Sequence, residues 1–267
     1  MKGGQLIHDW LPPVLRRLVR RLKSREGFAG DYASWAEARA VARGYETPVI
    51  FEKTLAAARA VRDGRAAWER DSLTFAEPEA HWPLLACLQR AAVLAGGRLG
   101  VVDFGGAFGS LWWQHRTWLA GLDVQWQVVD RPEVVAAGRR EFANDQLQFF
   151  ETIDSACANA RPTVMLLSSV LPYLEAPHTL LADVAQLGFR HIIIDRTGFI
   201  RADRDRLMVQ RSPPEIFAAR FPCWFFARAG VLRHFGDSYR LAAEWPCVDE
   251  GGSAAEFRGL FLERKSA

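Results

Sequence analysis

Between residues 99 and 195, short runs rich in β-branched and aromatic residues alternate with stretches of helical character. The strand-like runs are Leu99 to Phe104, Gln125 to Val129, Leu147 to Phe150, Val164 to Ser168 and His191 to Asp195. The helical candidates between them are Ser110 to Ala120, Pro132 to Phe142, Ile153 to Ala160 and Pro177 to Leu187. Because strands that alternate with helices are typical of βαβ units, this pattern predicts a parallel sheet covered by helices on both faces.

The chain on either side of this central pattern is predicted to add two parts. Residues 1–95 are mainly helical in character and are expected to form an N-terminal helical cap, with residues 96–267 forming the ligand-binding domain. Ser238 to Trp245 and Phe257 to Glu263 are predicted as two last strands, joined by a turn at Gly251-Gly252. The expected fold is α/β with a Rossmann-like sheet of order 3-2-1-4-5-7-6. The last strand is inserted antiparallel, and ligands bind at the carboxyl ends of the strands.

The composition is that of an ordinary globular protein and argues against several functional classes. Of the 267 residues, 49% are hydrophobic, which is enough for a full core. The formal net charge is only +3, so no nucleic-acid partner is expected. The four cysteines are widely scattered, and their spacing predicts neither a metal site nor a disulfide framework. Since no apolar run reaches the roughly 20 residues of a membrane span, a cytoplasmic protein is expected.

The stretch Trp10 to Leu22 has apolar residues at helical spacing and arginines on the opposite face. Two interpretations of this basic amphipathic helix are open. It packs on its own domain, or it contacts a partner or an anionic membrane surface, which would place the protein at the periphery of the inner membrane.

A small-residue loop follows the first predicted strand and precedes a helix. Its residues are Asp103, Phe104, Gly105, Gly106, Ala107, Phe108, Gly109 and Ser110. The dinucleotide fingerprint Gly-x-Gly-x-x-Gly is not satisfied, because the third position counted from Gly105 is Ala107 and the sixth is Ser110. The pattern Asp-x-Gly-x-Ala-x-Gly resembles the loop with which class I methyltransferases hold the amino-acid half of S-adenosylmethionine. The ligand contacts expected here are Asp103, Gly105, Gly106, Ala107 and Gly109.

Asp130 ends the second predicted strand, where its carboxylate can accept hydrogen bonds from both hydroxyls of a ribose. A ribose-binding acid suits NAD as well as S-adenosylmethionine, and capping of the following helix is a further role for it. The remaining pocket residues are expected at the ends of the third strand, beside the adenine, and of the fourth strand, facing the sulfonium. They are Phe149, Phe150, Glu151, Ser168 and Ser169. Core packing also explains the two phenylalanines.

Short signatures occur over most of the chain. They are Gly30-Asp31-Tyr32, Ser34-Trp35, Gly44-Tyr45, Glu69-Arg70-Asp71-Ser72, Asp103-Phe104-Gly105-Gly106, Leu171-Pro172-Tyr173, Asp195-Arg196-Thr197, Val209-Gln210 and Pro213-Pro214. Together they resemble a bacterial family of class I S-adenosylmethionine-dependent methyltransferases, often encoded beside genes for cell-surface polysaccharides. The resemblance implies the class I methyltransferase fold and S-adenosylmethionine as cofactor, and it leaves the acceptor open.

Methyl transfer from a sulfonium requires an acceptor held in line, exclusion of water and, for a hydroxyl acceptor, removal of a proton. Candidate catalytic residues are therefore expected at the mouth of the sheet or in the cap, and they are Asp195, Arg196, Asp71 and Tyr173. Asp195 is the first choice for substrate contact or base, with a buried salt bridge to Arg196 or another arginine as the alternative. Among the histidines His81, His178 and His234, none stands out.

The segment 198–235 begins as a polar, arginine-rich connector and is predicted to form a lid. Arg196, Arg201 and Arg211 together would favour an anionic acceptor. The expected function is methyl transfer to a small-molecule or glycan-related acceptor, at oxygen. Two alternatives are an NAD-binding oxidoreductase and a non-catalytic nucleoside-binding scaffold in envelope assembly.

Overall fold

The computed structural model describes residues 27–42, 48–159, 162–212, 219–250 and 255–265. Four features of the sequence lie outside these residues: the amphipathic stretch Trp10 to Leu22, Gly44-Tyr45, Pro213-Pro214 and the turn at Gly251-Gly252.

The elements follow one another along the chain in this order. The first part contains β1 (Gly27–Tyr32), α1 (Trp35–Val41), α2 (Pro48–Arg62), β2 (Trp68–Arg70), β3 (Leu73–Phe75) and α3 (Trp82–Leu94). The middle part contains β4 (Arg98–Phe104), α4 (Ser110–His115), β5 (Asp123–Val129), α5 (Pro132–Glu141), β6 (Leu147–Phe150), α6 (Ile153–Asn159) and β7 (Val164–Ser168). The last part contains a 3-10 turn (Leu171–Tyr173), α7 (Pro177–Gln186), β8 (His191–Ile200), β9 (Arg206–Arg211), β10 (Arg220–Ala227), α8 (Arg228–Arg233), β11 (Tyr239–Glu250) and β12 (Ala255–Arg264).

Five parallel strands form the centre of the fold, in the order β6-β5-β4-β7-β8. β12 pairs antiparallel with β8, and β11 pairs antiparallel with β12. The predicted α/β fold with a mostly parallel sheet is therefore confirmed. Since all five central strands run the same way, their carboxyl ends meet along one edge of the sheet, where ligands of such folds bind.

The central strands are apolar on both faces because helices cover both. Val101 of β4 belongs to an apolar cluster with side chains of α2, α3 and α5, and its neighbour Val102 to a cluster with side chains of α6 and α7. Successive side chains of a strand point to opposite faces, so a strand buried on both sides has no polar alternation. In the described part of the chain, no helix combines the length and the apolarity needed to cross a bilayer.

The sheet continues beyond the predicted strands. Past Asp195, β8 extends to Ile200, where Phe199 pairs with Phe226 of β10. β10 pairs antiparallel with β9, and β9 with β1. The sequence predicted a connector and a lid over 198–235, but the described part of this segment is largely hydrogen-bonded sheet, and Phe226 is buried in the core.

The N-terminal part is less helical than predicted. β1 forms an edge of the extended sheet, and β2 and β3 form an antiparallel hairpin in which Trp68 stacks on Phe75 with ring centroids 4.0 Å apart. Helices α1, α2 and α3 account for the remainder, and the Ser34 hydroxyl caps α1 by accepting a hydrogen bond from the N–H of Glu37. The β2-β3 hairpin packs against α2 and α4, which brings it to the ligand-binding edge of the sheet.

Candidate functional site

The loop between β4 and α4 requires small residues because its backbone lies against other groups. A Cβ on Gly105 would lie 2.5 Å from Cγ2 of Val170, and one on Gly106 would lie 2.5 Å from Oδ2 of Asp103. Gly105 also has a φ of +76°, which favours glycine. Ala107 has a φ of +49° and is one of the few described non-glycine residues in the left-handed region. These contacts exclude larger side chains at Gly105 and Gly106, while Gly105 itself is exposed and Gly106 and Ala107 are half-buried, so part of the loop backbone is accessible.

Asp103 supports this loop from below. Its side chain is only 1% exposed and accepts a hydrogen bond from Nε1 of Trp126 at 3.0 Å. Burial raises the pKa of Asp103 to about 7. The sequence predicted Asp103 as a direct ligand contact, but the structure places it beneath the loop, where its carboxylate lies against Gly106 and accepts the hydrogen bond of the Trp126 ring.

Asp130 joins the loop to the end of β5. Its Oδ2 accepts a hydrogen bond from the N–H of Ala107 at 3.0 Å, and its Oδ1 accepts one from the N–H of Arg131 at 2.7 Å. Burial raises the pKa of this carboxyl group. Each carboxylate oxygen can accept two hydrogen bonds, so both oxygens retain capacity for a ligand hydroxyl.

The predicted adenine wall is only partly formed by the residues named from sequence. Phe149 is buried in the core against α5, where a Cβ on Gly138 would lie 2.5 Å from its ring. Phe150 is half-buried at the end of β6, and Glu151 after it is exposed. Phe149 is thus a core residue, whereas Phe150 and Glu151 remain at the ligand-binding edge.

Asp195 is the centre of a buried polar cluster at the carboxyl end of β7 and the middle of β8. It is 0% exposed and accepts hydrogen bonds from Nε1 of Trp245 at 3.1 Å and from Oγ of Ser168 at 3.2 Å. Nε2 of His81 lies 3.1 and 3.2 Å from its two oxygens. The N–H of Ser169 donates to the backbone carbonyl of Asp195 at 2.9 Å. Ser168 and Ser169, predicted to face the sulfonium, therefore tie β7 to β8 at this point.

A β-bulge explains how β8 presents two charged side chains at one place. Ile194 pairs with Leu260 and Thr197 with Arg258, so Asp195 and Arg196 together oppose a single residue of β12. Arg196 has a φ of +49°, which departs from strand geometry. Bulges of this kind redirect side chains and occur frequently beside functional sites.

His81 is the functional candidate that the sequence did not single out. It precedes α3 and is separated from Asp195 by 114 residues, so no local pattern connects the two. Its side chain is 22% exposed, which makes it the link between the buried Asp195 and the open edge. With Nε2 against a carboxylate, the imidazole proton belongs on Nε2, and the lone pair is on Nδ1.

His115 fixes the backbone of His81. Its Nε2 accepts a hydrogen bond from the His81 N–H at 3.0 Å, and its Nδ1 lies 2.8 Å from the carbonyl oxygen of Leu111. Burial lowers the pKa of His115 to about 4, so this ring stays neutral around pH 7 with the proton on Nδ1.

Arg196 is held between two carboxylates. Its Nη2 lies 3.1 Å from Oδ2 of Asp71 and 2.8 Å from Oδ1 of Asp249. Burial opposes the charged guanidinium, but the two carboxylates outweigh this effect and raise the pKa of Arg196. Arg196 and Asp71, predicted as catalytic, therefore form a clamp between β8 and the β2-β3 hairpin.

The three arginines predicted to bind an anion do not converge. Arg196 is neutralised by its carboxylates, and Arg201 forms an exposed ion pair with Glu256. Arg211 of β9 lies opposite Arg220 of β10 in the strand register. Arg220 precedes Phe226, which pairs with one of the last residues of β8, by six residues, so Arg211 is about 20 Å from that end of β8. The three arginines therefore do not form one common anion site in the structure, and an anionic acceptor stays a prediction from the sequence.

Tyr173 lies on the neighbouring β9-β10 surface. Its hydroxyl donates a hydrogen bond to Oε1 of Gln210 at 2.8 Å, and its ring packs edge-on against Phe221. This placement makes Tyr173 a packing and positioning residue.

In the described residues, no three His, Cys, Asp or Glu side chains are arranged to hold a metal ion.

No protein-family model matches the chain, and no curated protein matches it in sequence. One similar solved structure is the N-terminal domain of EvdMO1 in the presence of SAH and D-fucose, with 14% identity, coverage of 84% of this chain and 100% of that chain, and a TM-score of 0.49. A second is the glycopeptide N-methyltransferase MtfA complexed with S-adenosyl-L-homocysteine. It has 13% identity, coverage of 67% of this chain and 90% of that chain, and a TM-score of 0.45. A third is Burkholderia thailandensis 1,6-didemethyltoxoflavin-N1-methyltransferase with bound 1,6-didemethyltoxoflavin and S-adenosylhomocysteine. It has 16% identity, coverage of 92% of this chain and 98% of that chain, and a TM-score of 0.43.

Proposed function

We propose that this protein is an S-adenosylmethionine-dependent methyltransferase that acts on a hydroxyl of a small-molecule or glycan-related acceptor. One observation carries the proposal: two features lie at the same edge of the sheet. The first is the loop after β4 with Asp130 beside it, and the second is the His81-Asp195 pair two strands away. The first half suits a nucleoside with an amino-acid tail, and the second suits an acceptor that must lose a proton.

The loop and Asp130 fit the cofactor by their donor and acceptor chemistry. The two oxygens of Asp130 are each fixed by one backbone N–H and can each accept another hydrogen bond, which matches the two adjacent hydroxyls of a ribose. The accessible backbone of Gly105, Gly106 and Ala107 carries no large side chain, which suits close approach of the methionine half.

When bound, S-adenosylmethionine supplies an electrophilic methyl group, and the electron pair of the broken carbon–sulfur bond remains on sulfur. Nδ1 of His81 accepts the proton of the acceptor hydroxyl as its oxygen forms the new bond to carbon. Asp195 then stabilises the imidazolium through Nε2 and keeps the ring in one orientation. The nearby Trp245 and Ser168 hold the carboxylate in place and exclude water from it.

This arrangement favours oxygen as the acceptor atom. A neutral amine presents a free lone pair to the methyl group, whereas a hydroxyl becomes a good nucleophile only as its proton leaves. A base that is oriented by a buried carboxylate is therefore of most use to a hydroxyl. An anionic acceptor is no part of the proposal, because Arg196 already has two carboxylate partners.

Calorimetry with S-adenosylhomocysteine and NAD tests the cofactor part of the proposal. We expect binding of S-adenosylhomocysteine and none of NAD, and the opposite result would favour an oxidoreductase. Transfer of a tritium-labelled methyl group to a panel of free sugars, nucleotide-linked sugars and hydroxy acids then tests the reaction. Binding without transfer to any member would favour the non-catalytic scaffold.

A further inference from the structure

The β2-β3 hairpin places one buried acidic side chain at the end of the loop between β4 and α4, which is called the glycine loop below. Glu69 of β2 is only 5% exposed, although its neighbours in the turn of the hairpin are more accessible. Its Oε1 accepts a hydrogen bond from the hydroxyl of Ser110, the first residue of α4 and the last of the loop motif. The carboxylate therefore lies at the end of the loop where the methionine half of the proposed cofactor would be held.

Contacts on both sides of the turn hold the hairpin in this position. Asp71 bonds to Arg196 of β8 at 3.1 Å, and the hydroxyls of Ser72 and Thr54 lie 3.0 Å apart. Both turn residues have positive φ, 52° for Asp71 and 68° for Ser72, so the turn adopts one tight conformation. The position of Glu69 between the loop and β8 is thus fixed by contacts of the hairpin on both sides of its turn.

The charge of Glu69 is not balanced within the described residues. No lysine or arginine of that part of the chain forms an ion pair with it, and the nearby Arg196 is bonded to two aspartates instead. Burial raises the pKa of Glu69 to about 7, and the neighbouring Asp71 acts in the same direction. A buried carboxylate without a bonded cation is costly, and a bound cation relieves that cost.

We infer that the carboxylate of Glu69 binds the ammonium group of the methionine half of S-adenosylmethionine, with Ser110 orienting it. The inference rests on the proposed function. An ammonium group has three N–H donors and a full positive charge, and Glu69, once ionised, offers at least one carboxylate oxygen and the opposite charge. Glu69 then acts as a cofactor-binding residue supplied by the cap and closes the methionine end of the pocket.

The test compares two ligands by calorimetry, S-adenosylhomocysteine and 5′-methylthioadenosine, which keeps the nucleoside and lacks the amino-acid group. In Glu69→Gln we expect the affinity for S-adenosylhomocysteine to fall about 10- to 100-fold, as for loss of a hydrogen bond between charged groups. The affinity for 5′-methylthioadenosine should stay within about twofold of the wild-type value. Glu77→Gln, an equal charge change at an exposed position in the same segment, should leave both affinities unchanged.

Unchanged binding of S-adenosylhomocysteine by Glu69→Gln would overturn the inference. Equal weakening of both ligands would overturn it as well, because Glu69 would then act on the loop and not on the ammonium group. Failure of the wild-type protein to bind either ligand would refute the proposed function itself and is thereby distinguishable. If Glu69→Gln does not unfold cooperatively, Glu69→Asp replaces it, since the shorter acid keeps the charge and should weaken S-adenosylhomocysteine selectively.

Discussion

Replacing Asp130 by alanine is expected to weaken nucleoside binding by removing the acceptor of two ribose hydroxyls. The carboxylate oxygens each already accept one backbone N–H, from Ala107 and Arg131, so part of their capacity is used within the protein. Hydrogen bonds to a charged acceptor contribute about 1.5 to 3 kcal/mol each, and water can enter the space left by the truncation. We therefore expect a loss of about 1 to 3 kcal/mol, or roughly 5- to 150-fold in Kd.

The assay that isolates the ribose compares 5′-methylthioadenosine with its 2′,3′-dideoxy derivative by calorimetry. Wild-type protein should prefer the diol, whereas Asp130→Ala should bind the two compounds equally. Glu133→Ala, which removes an exposed acid one turn away, is the matched control and should retain the preference. A wild-type protein that does not distinguish the two nucleosides would refute the placement of the ribose at Asp130. Equal losses for both nucleosides in Asp130→Ala, with the preference retained, would show that the substitution acts on the loop alone.

Three further predictions concern the rest of the site. His81→Ala should lower the rate of methyl transfer about 100- to 10,000-fold and leave the Kd of S-adenosylhomocysteine within about twofold, because the imidazole is proposed to act on the acceptor; an unaltered rate would exclude it as the base. Arg196→Ala should lower the free energy of unfolding in urea by about 1 to 3 kcal/mol, since it leaves the largely buried carboxylate of Asp249 without its cation while the exposed Asp71 can be solvated, and a change under about 0.5 kcal/mol would show that the clamp contributes little. Binding of S-adenosylhomocysteine at pH 6.5 should release protons, because a cation at Glu69 lowers a pKa that stands at about 7 in the free protein. Calorimetry in buffers of different ionisation enthalpy measures this release, which should be absent in Glu69→Gln and with 5′-methylthioadenosine.

The part of the site that the sequence predicted lies within a short stretch of chain. The loop after β4 and Asp130 after β5 are adjacent because consecutive βα units place neighbouring strands side by side. The face of the sheet to which each side chain points was predicted less well, although the alternation of side chains along a strand determines that face. Asp103 lies two residues after Val101 and so shares the face of Val101, which explains why its carboxylate meets Trp126 in the core and not the ligand edge.

Asp195 was predicted as an acceptor-side residue, but its pairing with His81 could not be, because it depends on contacts between distant segments. His81 and Asp195 are 114 residues apart, and Asp71 and Arg196 are 125 apart. The docking of the hairpin and of α3 on the sheet edge is decided by shape and buried charge, and neither leaves a periodic signal. The strands β9 and β10 were missed for a related reason, since the polar, arginine-rich run before Arg206 resembles a solvent-exposed loop in composition.

The bulge at the middle of β8 connects the two halves of the site. A regular strand would direct Asp195 and Arg196 to opposite faces of the sheet, whereas the bulge lets Asp195 accept from His81 while Arg196 reaches Asp71 in the hairpin. The left-handed backbone of Arg196 costs about 1 to 3 kcal/mol, which the ion pairs with its carboxylate partners offset. Because the same hairpin carries Glu69 to the loop after β4, a shift of β8 at this point would move Asp195, the partner of the proposed base, together with Glu69, the proposed cofactor-binding acid. On the proposed function, the irregularity in the sheet would thus couple the geometry of the methyl donor to that of the acceptor.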